Sequence, residues 1–373
     1  MLINYISNLP KELRSGGFSA MNAAAFQSLG KAHRVHYAGP VDPSPQVRQK
    51  MASKAFRLLG LPGKFFFFSE RRLSMIAGDV EIASDGGADL DFFHGFTPWI
   101  ATRPSRSYAA WSDCSFRDYI SHYHRRADFR AADLERIEQS EAAWLRGARA
   151  VGFTSIWAAE RTIRDYNLDP ALVSVVGIFG EIELPLADVY AGSQQFAFVS
   201  TDFKAKGGPV VLAAFHAVKA LHPNASLVIV GDVPAGLRPE PGVTIVGFLR
   251  KEDSAEDRRL REILAASRAV VHPTRSDIAP LLLVEAGYFG CPVISTRQFA
   301  IGEIVNDGVT GILIDDAKEI SAIAAAMISM LEMEPDRYLA MRQAAWTHSR
   351  ETHSKVRFES RLLAMVESAR RRT

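Results

Sequence analysis

Short apolar runs alternate with longer amphipathic stretches along the chain. Leu2 to Ile6 predicts a buried strand, followed by Arg14-Ser15-Gly16-Gly17-Phe18-Ser19 and a helical pattern from about Ala20 to Leu29. His33 to Tyr37 alternates as a second strand. Asp89 to His94 and Ser107 to Trp111 predict two more, Leu134 to Arg149 a helix, and Ala150 to Thr154 a buried strand. Near residue 190 the pattern restarts. Gln195 to Ser200 predicts a strand and Asp202 to Gly208 a turn. Pro209 suits the first position of a helix with Val211, Phe215, Val218 and Leu221 on one face. Leu227 to Val230, Val243 to Val246, Ala269 to Val271, Val293 to Ser295 and Gly311 to Ile314 predict later strands. Ser254-Ala255-Glu256-Asp257 is expected to cap a helix with Leu260, Ile263 and Leu264 inward. Such alternation predicts an α/β protein with doubly wound parallel sheets. The restart divides it into a first domain over 1–190 and a second over 191–350, joined near 183–194. A final helix lies within 351–373, with the first domain as its candidate partner.

Composition narrows the classes. The 373 residues are 47% hydrophobic and 23% charged, which excludes a disordered chain. A chain of this length buries sizeable cores without disulfides or metals. The formal charge is +2, so no global electrostatic argument favours nucleic acid as a partner. Cys114 and Cys291 stand far apart, make no metal site alone, and point to a reducing compartment. His122 and His124 flank Tyr123 without further ligand spacing, so no metal is expected. No apolar run is long enough for a membrane span, and the N-terminus lacks signal-peptide features. The expected location is the cytoplasm. Local charge adds one qualification. Residues 44–75 hold seven basic side chains (Arg48, Lys50, Lys54, Arg57, Lys64, Arg71, Arg72) against Glu70, with Phe65 to Phe68 among them. The stretch is either a solvated helix face over a core or a surface pressed on anionic lipid at the inner membrane face.

The most informative stretch runs from His272 to Gly287. A strand ends at His272, a loop carries Asp277, and a helix begins near Pro280. The free N–H groups of its first turn, at Leu281 and Leu282, attract phosphate. Glu285 follows on that helix, so two carboxylates flank an anion-binding helix end. A diphosphate-linked sugar needs that layout: Asp277 toward sugar hydroxyls, Glu285 toward ribose hydroxyls. A helix cap and a partly solvated carboxylate is the plainer reading. Lys206 stands in the turn before the Pro209 helix, where an ammonium and free N–H groups meet one diphosphate. It is expected to be exposed in the free protein.

Pro273-Thr274-Arg275-Ser276-Asp277-x7-Glu285-Ala286-Gly287, followed by Ile301-Gly302-Glu303 and Asn306-Asp307-Gly308-Val309-Thr310-Gly311, resembles glycosyltransferase family 4. The family has Glu-x7-Glu where this chain has Asp277-x7-Glu285. Phe198 to Gly208 is similar to its strand and Lys-Gly phosphate motif, with Thr201 at a position usually held by arginine. Leu227 to Asp232 and Val246-Gly247-Phe248 are similar to its next strand ends, Ser15-Gly16-Gly17-Phe18 to its first glycine loop, and Ser155-Ile156-Trp157-Ala158-Ala159-Glu160 to its Ser-x-Trp-Ala-x-Glu signature. The resemblance spans roughly residues 195–320 and covers the first domain only in patches.

It implies two Rossmann-like domains facing a cleft (GT-B), and a retaining, metal-independent hexosyltransferase-like enzyme with no cofactor beyond its nucleotide diphosphate sugar. The acceptor would be a glycan, a lipid-linked molecule or a small molecule. Lys206, Asp277 and Asp113 would be catalytic. Gly16, Gly17, Thr201, Arg275, Leu281, Leu282 and Glu285 would hold the donor, and His94 would line the acceptor side. Glu303 would be structural or hold a hydroxyl. A sugar phosphorylase and a non-catalytic nucleotide-sugar-binding protein are the alternatives. Gly16-Gly17 lacks the G-x-G-x-x-G spacing of a dinucleotide site.

Overall fold

The computed structural model describes residues 1–12, 18–44, 47–58 and 60–372, with the backbone alone at 19, 47–50, 52 and 57. It divides into two compact units, Met1–Gly177 with Val356–Thr373, and Ile178–Lys355.

Unit 1 is built on six strands, β1 (Leu2–Ile6), β2 (Arg34–Ala38), β3 (Leu90–His94), β4 (Tyr108–Ser112), β5 (Ala150–Phe153) and β6 (Val173–Val175). All pair in parallel, in the order β2-β1-β3-β4-β5-β6. Every residue of β3 and β4 is buried, including the polar Asp91, His94 and Ser112, and Asp91 accepts from Asn4 Nδ2 at 2.8 Å. The covering helices are α1 (Phe18–Gly30), α2 (Val47–Leu58), α3 (Glu70–Ala83), α4 (Phe116–Tyr123), α5 (Ala131–Gly147) and α6 (Ile156–Tyr166). Ser155 caps α6 by accepting from Ala158 N–H, so the Ser-x-Trp-Ala-x-Glu signature has a local structural reason.

Unit 2 repeats the plan with β7 (Gln195–Val199), β8 (Ser226–Val230), β9 (Val243–Gly247), β10 (Ala269–His272), β11 (Val293–Thr296) and β12 (Gly311–Ile314). These strands are also parallel, in the order β12-β11-β10-β7-β8-β9. Its helices are α7 (Gly208–Leu221), α8 (Ser254–Ala266), α9 (Leu281–Tyr288), α10 (Ile301–Ile304), α11 (Ile320–Glu332) and α12 (Pro335–Thr352). The last helix, α13 (Lys355–Arg371), returns to unit 1 and buries Phe358, Leu362, Met365, Val366 and Ala369. The Phe358 ring lies 5.5 Å from that of Trp111 on β4.

Two expectations shift. The cap of α8 is Asp253, whose Oδ1 accepts from the N–H groups of Ala255 and Glu256 at 2.9 and 3.0 Å. The helix starts at Ser254 itself, so the N-cap position falls to Asp253, and Glu256 instead reaches the Arg250 N–H at 2.6 Å. The units part at Gly177, upstream of 183–194, because residues 178–190 carry no regular structure and are fastened to unit 2. The buried Arg342 guanidinium grips both carboxylate oxygens of Asp188, at 2.7 and 2.6 Å, and also reaches the carbonyls of Phe289 and Ser267. Its 1% exposure leaves no water to replace a lost partner. Arg342→Ala removes this buried donor while Asp188, 30% exposed, turns to water, so it is expected to destabilise unit 2 by about 1–3 kcal/mol. Urea unfolding followed by circular dichroism checks this.

Candidate functional site

In unit 2, β7 and β10 are neighbours, and the chain leaves them toward opposite halves of the sheet: β8 lies beyond β7 and β11 beyond β10. Loops leaving the carboxyl ends of such a strand pair diverge and open a crevice, the usual ligand position in an open α/β sheet. The loop after β7 carries Lys206, and the loop after β10 carries Asp277.

The turn at 202–208 is shaped by its glycines. Gly207 caps α7 at φ +89°, and a Cβ there would lie 2.9 Å from the Pro273 carbonyl oxygen. A Cβ on Gly208 would lie 2.4 Å from the buried Phe203 ring. Gly207 thus lets the β7 turn press on the β10 exit, and Gly208 lets the turn close over Phe203. Lys206 consequently reaches across. Its ammonium pairs with Asp277 Oδ1 and lies 3.2 Å from Ser276 Oγ. Its side chain is 19% exposed, so the expectation of a free surface lysine is corrected: the crevice supplies a carboxylate that the lysine neutralises.

Asp277 is held from its other side by Thr274 Oγ1 at 2.6 Å and by His272 Nε2 at 3.3 Å. Burial pushes its pKa up, but the His272 hydrogen bond and the charges of His272 and Lys206 outweigh this. They hold the carboxyl well below the usual carboxylate range. His272 is itself buried, and its Nδ1 has no partner among the described residues. Arg275 and Thr201 are exposed.

Helix α9 begins after Pro280, whose side chain offers no cap, and half-buried Leu281 and Leu282 form its first turn. Glu285 on this helix is 2% exposed, not partly solvated. Its Oε1 accepts from the Glu181 N–H at 3.0 Å and pairs with the Lys251 ammonium. Lys251 was absent from the sequence-derived site. The signal available was a lysine just past the carboxyl end of β9, but only the fold brings it to α9. Glu303 on α10 contributes its carbonyl oxygen, which faces the rings of His348 and His353 at 3.3 Å.

In unit 1, Gly16 and Gly17 lie outside the described residues. His94 ends β3, is 1% exposed and stacks on Phe18 at 4.4 Å. Burial pulls its pKa down to about 3, so the ring is neutral. His94 Nε2, Trp111 Nε1 and Thr154 Oγ1 are buried without partners among the described residues, all near the carboxyl ends of β3, β4 and β5. Asp113 follows β4, with Ser112 Oγ 3.3 Å from its Oδ1. Burial raises its pKa against opposing hydrogen bonds from Cys114 and Ser112. Nearby, the fully buried Glu141 accepts from Thr97 Oγ1, the Phe116 N–H and the Tyr166 hydroxyl, at 2.6, 2.6 and 2.8 Å. It ties the start of α4 to α5 and α6. Within 44–75, Arg72 is buried against Asp42 and the carbonyls of Pro43 and Phe67, whereas Lys54, Lys64 and Arg71 are exposed. Among the described residues no helix is long and apolar enough to cross a membrane.

Residues 193–333 match the family profile described as "Glycosyl transferases group 1". The matched stretch begins just before β7 and ends just after α11, so it contains Lys206, Asp277 and Glu285. A D-inositol 3-phosphate glycosyltransferase of Segniliparus rotundus is 27% identical over 224 residues, 54% of this chain and 48% of that protein. The chain thus spans about half the length of this curated relative. Sucrose-phosphate synthase from Thermosynechococcus elongatus superimposes with a TM-score of 0.68 at 16% identity, covering 99% of this chain and 98% of that one. Anabaena HepE in complex with UDP-glucose gives a TM-score of 0.64 at 15% identity, covering 99% and 100%. These likenesses show the fold, the two-unit α/β architecture that the strand and helix pattern predicts.

Two outcomes follow from the buried charges. Removing Lys206 strands Asp277, so Lys206→Ala is expected to lower stability by about 1–3 kcal/mol, and Lys206→Ala/Asp277→Asn to restore most of it. A double-mutant cycle in urea measures this. Burial raises the Glu141 pKa from 4.5 to about 7 against the hydrogen bonds of Thr97, Phe116 and Tyr166. The folded protein then keeps a proton that the unfolded chain releases, so this contribution is present below about pH 4.5 and lost as pH rises through about 7. His94, lowered to about 3, has the opposite slope, with stability lost as pH falls below about 6.5. The clean measure is Glu141→Gln minus wild type. That difference is expected to rise by about 2–3 kcal/mol between about pH 5 and 8. A flat difference would remove Glu141 as a titrating group.

Proposed function

We propose that the protein is a retaining glycosyltransferase that moves a sugar from a nucleotide diphosphate sugar to a glycan, lipid-linked or small-molecule acceptor. The observation that carries this is the Lys206–Asp277 pair at the β7/β10 crevice, beside the uncapped start of α9 and within the segment matching group 1 glycosyl transferases. The curated relative's name and the UDP-glucose complex of HepE support a nucleotide-sugar donor.

In the free protein Lys206 and Asp277 neutralise each other. A bound donor would give each a new partner. The diphosphate would take the Lys206 ammonium and the N–H groups of Leu281 and Leu282, and sugar hydroxyls would take the Asp277 carboxylate. Thr274 and His272 hold that carboxylate in place and ionised. Glu285, oriented by Lys251 and the Glu181 N–H, would accept from ribose hydroxyls through its remaining oxygen. As the bond from the anomeric carbon to the diphosphate breaks, negative charge grows on the leaving oxygen. Fixed positive groups there lower the barrier because they need no reorganisation. The acceptor oxygen would bond to the same face of the anomeric carbon, and its proton would pass to the departing phosphate. No metal takes part in this scheme. His94 and Asp113 are assigned to the acceptor and sugar, supported by the unpartnered buried polar atoms at that strand edge. Exposed Lys54, Lys64 and Arg71, with Leu58 and Leu61 also exposed, support approach to an anionic membrane surface.

Incubation with a panel of nucleotide sugars, scored for nucleoside diphosphate release, tests the reading. Lys206→Ala is expected to lower turnover by at least about two orders of magnitude. Glu285→Gln should weaken nucleoside diphosphate binding in calorimetry, whereas Asp277→Asn should depress turnover more than affinity. Wild-type turnover in purified Lys206→Ala would remove that lysine from the diphosphate site.

A further inference from the structure

Unit 1 contains a cavity of about 620 Å³ that the proposed reaction does not use. It lies between the α2–α3 connection and the start of α5. Four cationic side chains line it, Lys64, Arg71, Arg130 and Arg136, against two carboxylates, Glu70 and Asp133. Both carboxylates are directed at one of the four. Arg136 lies 2.9 Å from Asp133 Oδ1 and 3.9 Å from Glu70 Oε1. The second oxygen of Asp133 is occupied by the Phe65 N–H at 2.6 Å. Lys64, Arg71 and Arg130 have no carboxylate partner among the described residues.

The backbone adds to this excess. The cavity receives the N-termini of two helices, α3 with 14 residues and α5 with 17. Neither is capped by the side chain of its N-cap residue, Ser69 or Arg130. Ser69 Oγ is buried without a hydrogen-bond partner among the described residues. Each first turn also holds a carboxylate, Glu70 and Asp133, but Asp133 is taken up by Arg136 and the Phe65 N–H, so the remaining N–H groups and partial charge of the two helix ends add to Lys64, Arg71 and Arg130 in favouring an anion. One wall is apolar. Phe56 and Phe66 line the same space, and the Arg130 guanidinium lies over the Phe56 ring at 5.3 Å. A small inorganic anion would satisfy the cations and leave this wall bare.

We propose that the cavity binds the phosphate-ester headgroup of an amphiphile. The phosphate oxygens are held by Lys64, Arg71 and Arg130 at the two helix ends, and the first part of the apolar chain lies on Phe56 and Phe66. This goes beyond attraction to a charged surface, because it assigns a bound group to a concave site and predicts binding in the absence of any membrane.

The probe is dihexanoyl phosphatidic acid at concentrations where it is monomeric, titrated into the full-length protein by calorimetry. Dihexanoyl phosphatidylcholine and inorganic phosphate form the comparison arms. Phosphatidic acid is expected to bind in a salt-sensitive manner and at least about tenfold more tightly than either comparison, since only it presents both the anion and the apolar chain. The double variant Lys64→Gln/Arg71→Gln removes two exposed, unpaired charges, so its thermal midpoint should stay at the wild-type value while affinity falls at least about tenfold. Absence of phosphatidic acid binding, equal binding by the zwitterionic lipid, or wild-type affinity in the double variant would each overturn the site. Inorganic phosphate binding as tightly as phosphatidic acid would overturn the amphiphile. No nucleotide enters the measurement, so its failure leaves the donor site in unit 2 standing, and failure of the donor reading leaves this site standing.

Discussion

The crevice of unit 2 depends on one steric constraint, the contact between the 202–208 turn and the end of β10. Two backbones approach there with no room for a Cβ at Gly207 and none beside Phe203 at Gly208. Everything chemical at the site is downstream of that contact. It sets the distance over which Lys206 reaches Asp277, and it places the start of α7 next to the loop that leads into α9. A larger residue at Gly207 would push the two loops apart and one at Gly208 would distort the turn around Phe203, and either would draw Lys206 away from Asp277.

A common electrostatic arrangement recurs through the molecule. Asp277, Glu285, Arg342 and Glu141 are each withdrawn from water, and each is given directed partners rather than diffuse screening. Burial penalises the charged form, so such groups persist as ions only where partners overcompensate. Asp277 lies on the ionised side of that balance, whereas Glu141, with hydrogen bonds but no cation, is pushed to about 7. The contrast separates a carboxylate suited to accept from hydroxyls from one that fastens helices together.

The two units use the carboxyl ends of their sheets differently. In unit 2, the polar groups meet one another across the β7/β10 exit. In unit 1, His94, Trp111 and Thr154 leave buried polar atoms unmatched among the described residues, and the cationic cavity by α3 and α5 holds more positive charge than its own carboxylates neutralise.

Much of this is legible in the chain itself. Strands buried on both faces are mostly apolar, so β1, β3 to β5 and the strands of unit 2 follow from local pattern, as does the restart near residue 190, whereas the three-residue, half-buried β6 is too short and too little buried to leave such a run. The Lys206 turn and the Asp277–Glu285 spacing are local too, because both lie beside a helix start. Long-range pairing is not encoded locally. Nothing in the neighbourhood of Lys251 announces Glu285, nor does the neighbourhood of Asp188 announce Arg342, and the cavity lined by Lys64 and Arg136 exists only because the α2–α3 connection packs on α5. The sequence alone determined which residues could carry charge to a strand end. Only the tertiary structure decided which charges are neutralised and which stand free, since a side chain's partner is set by packing between segments far apart in the chain.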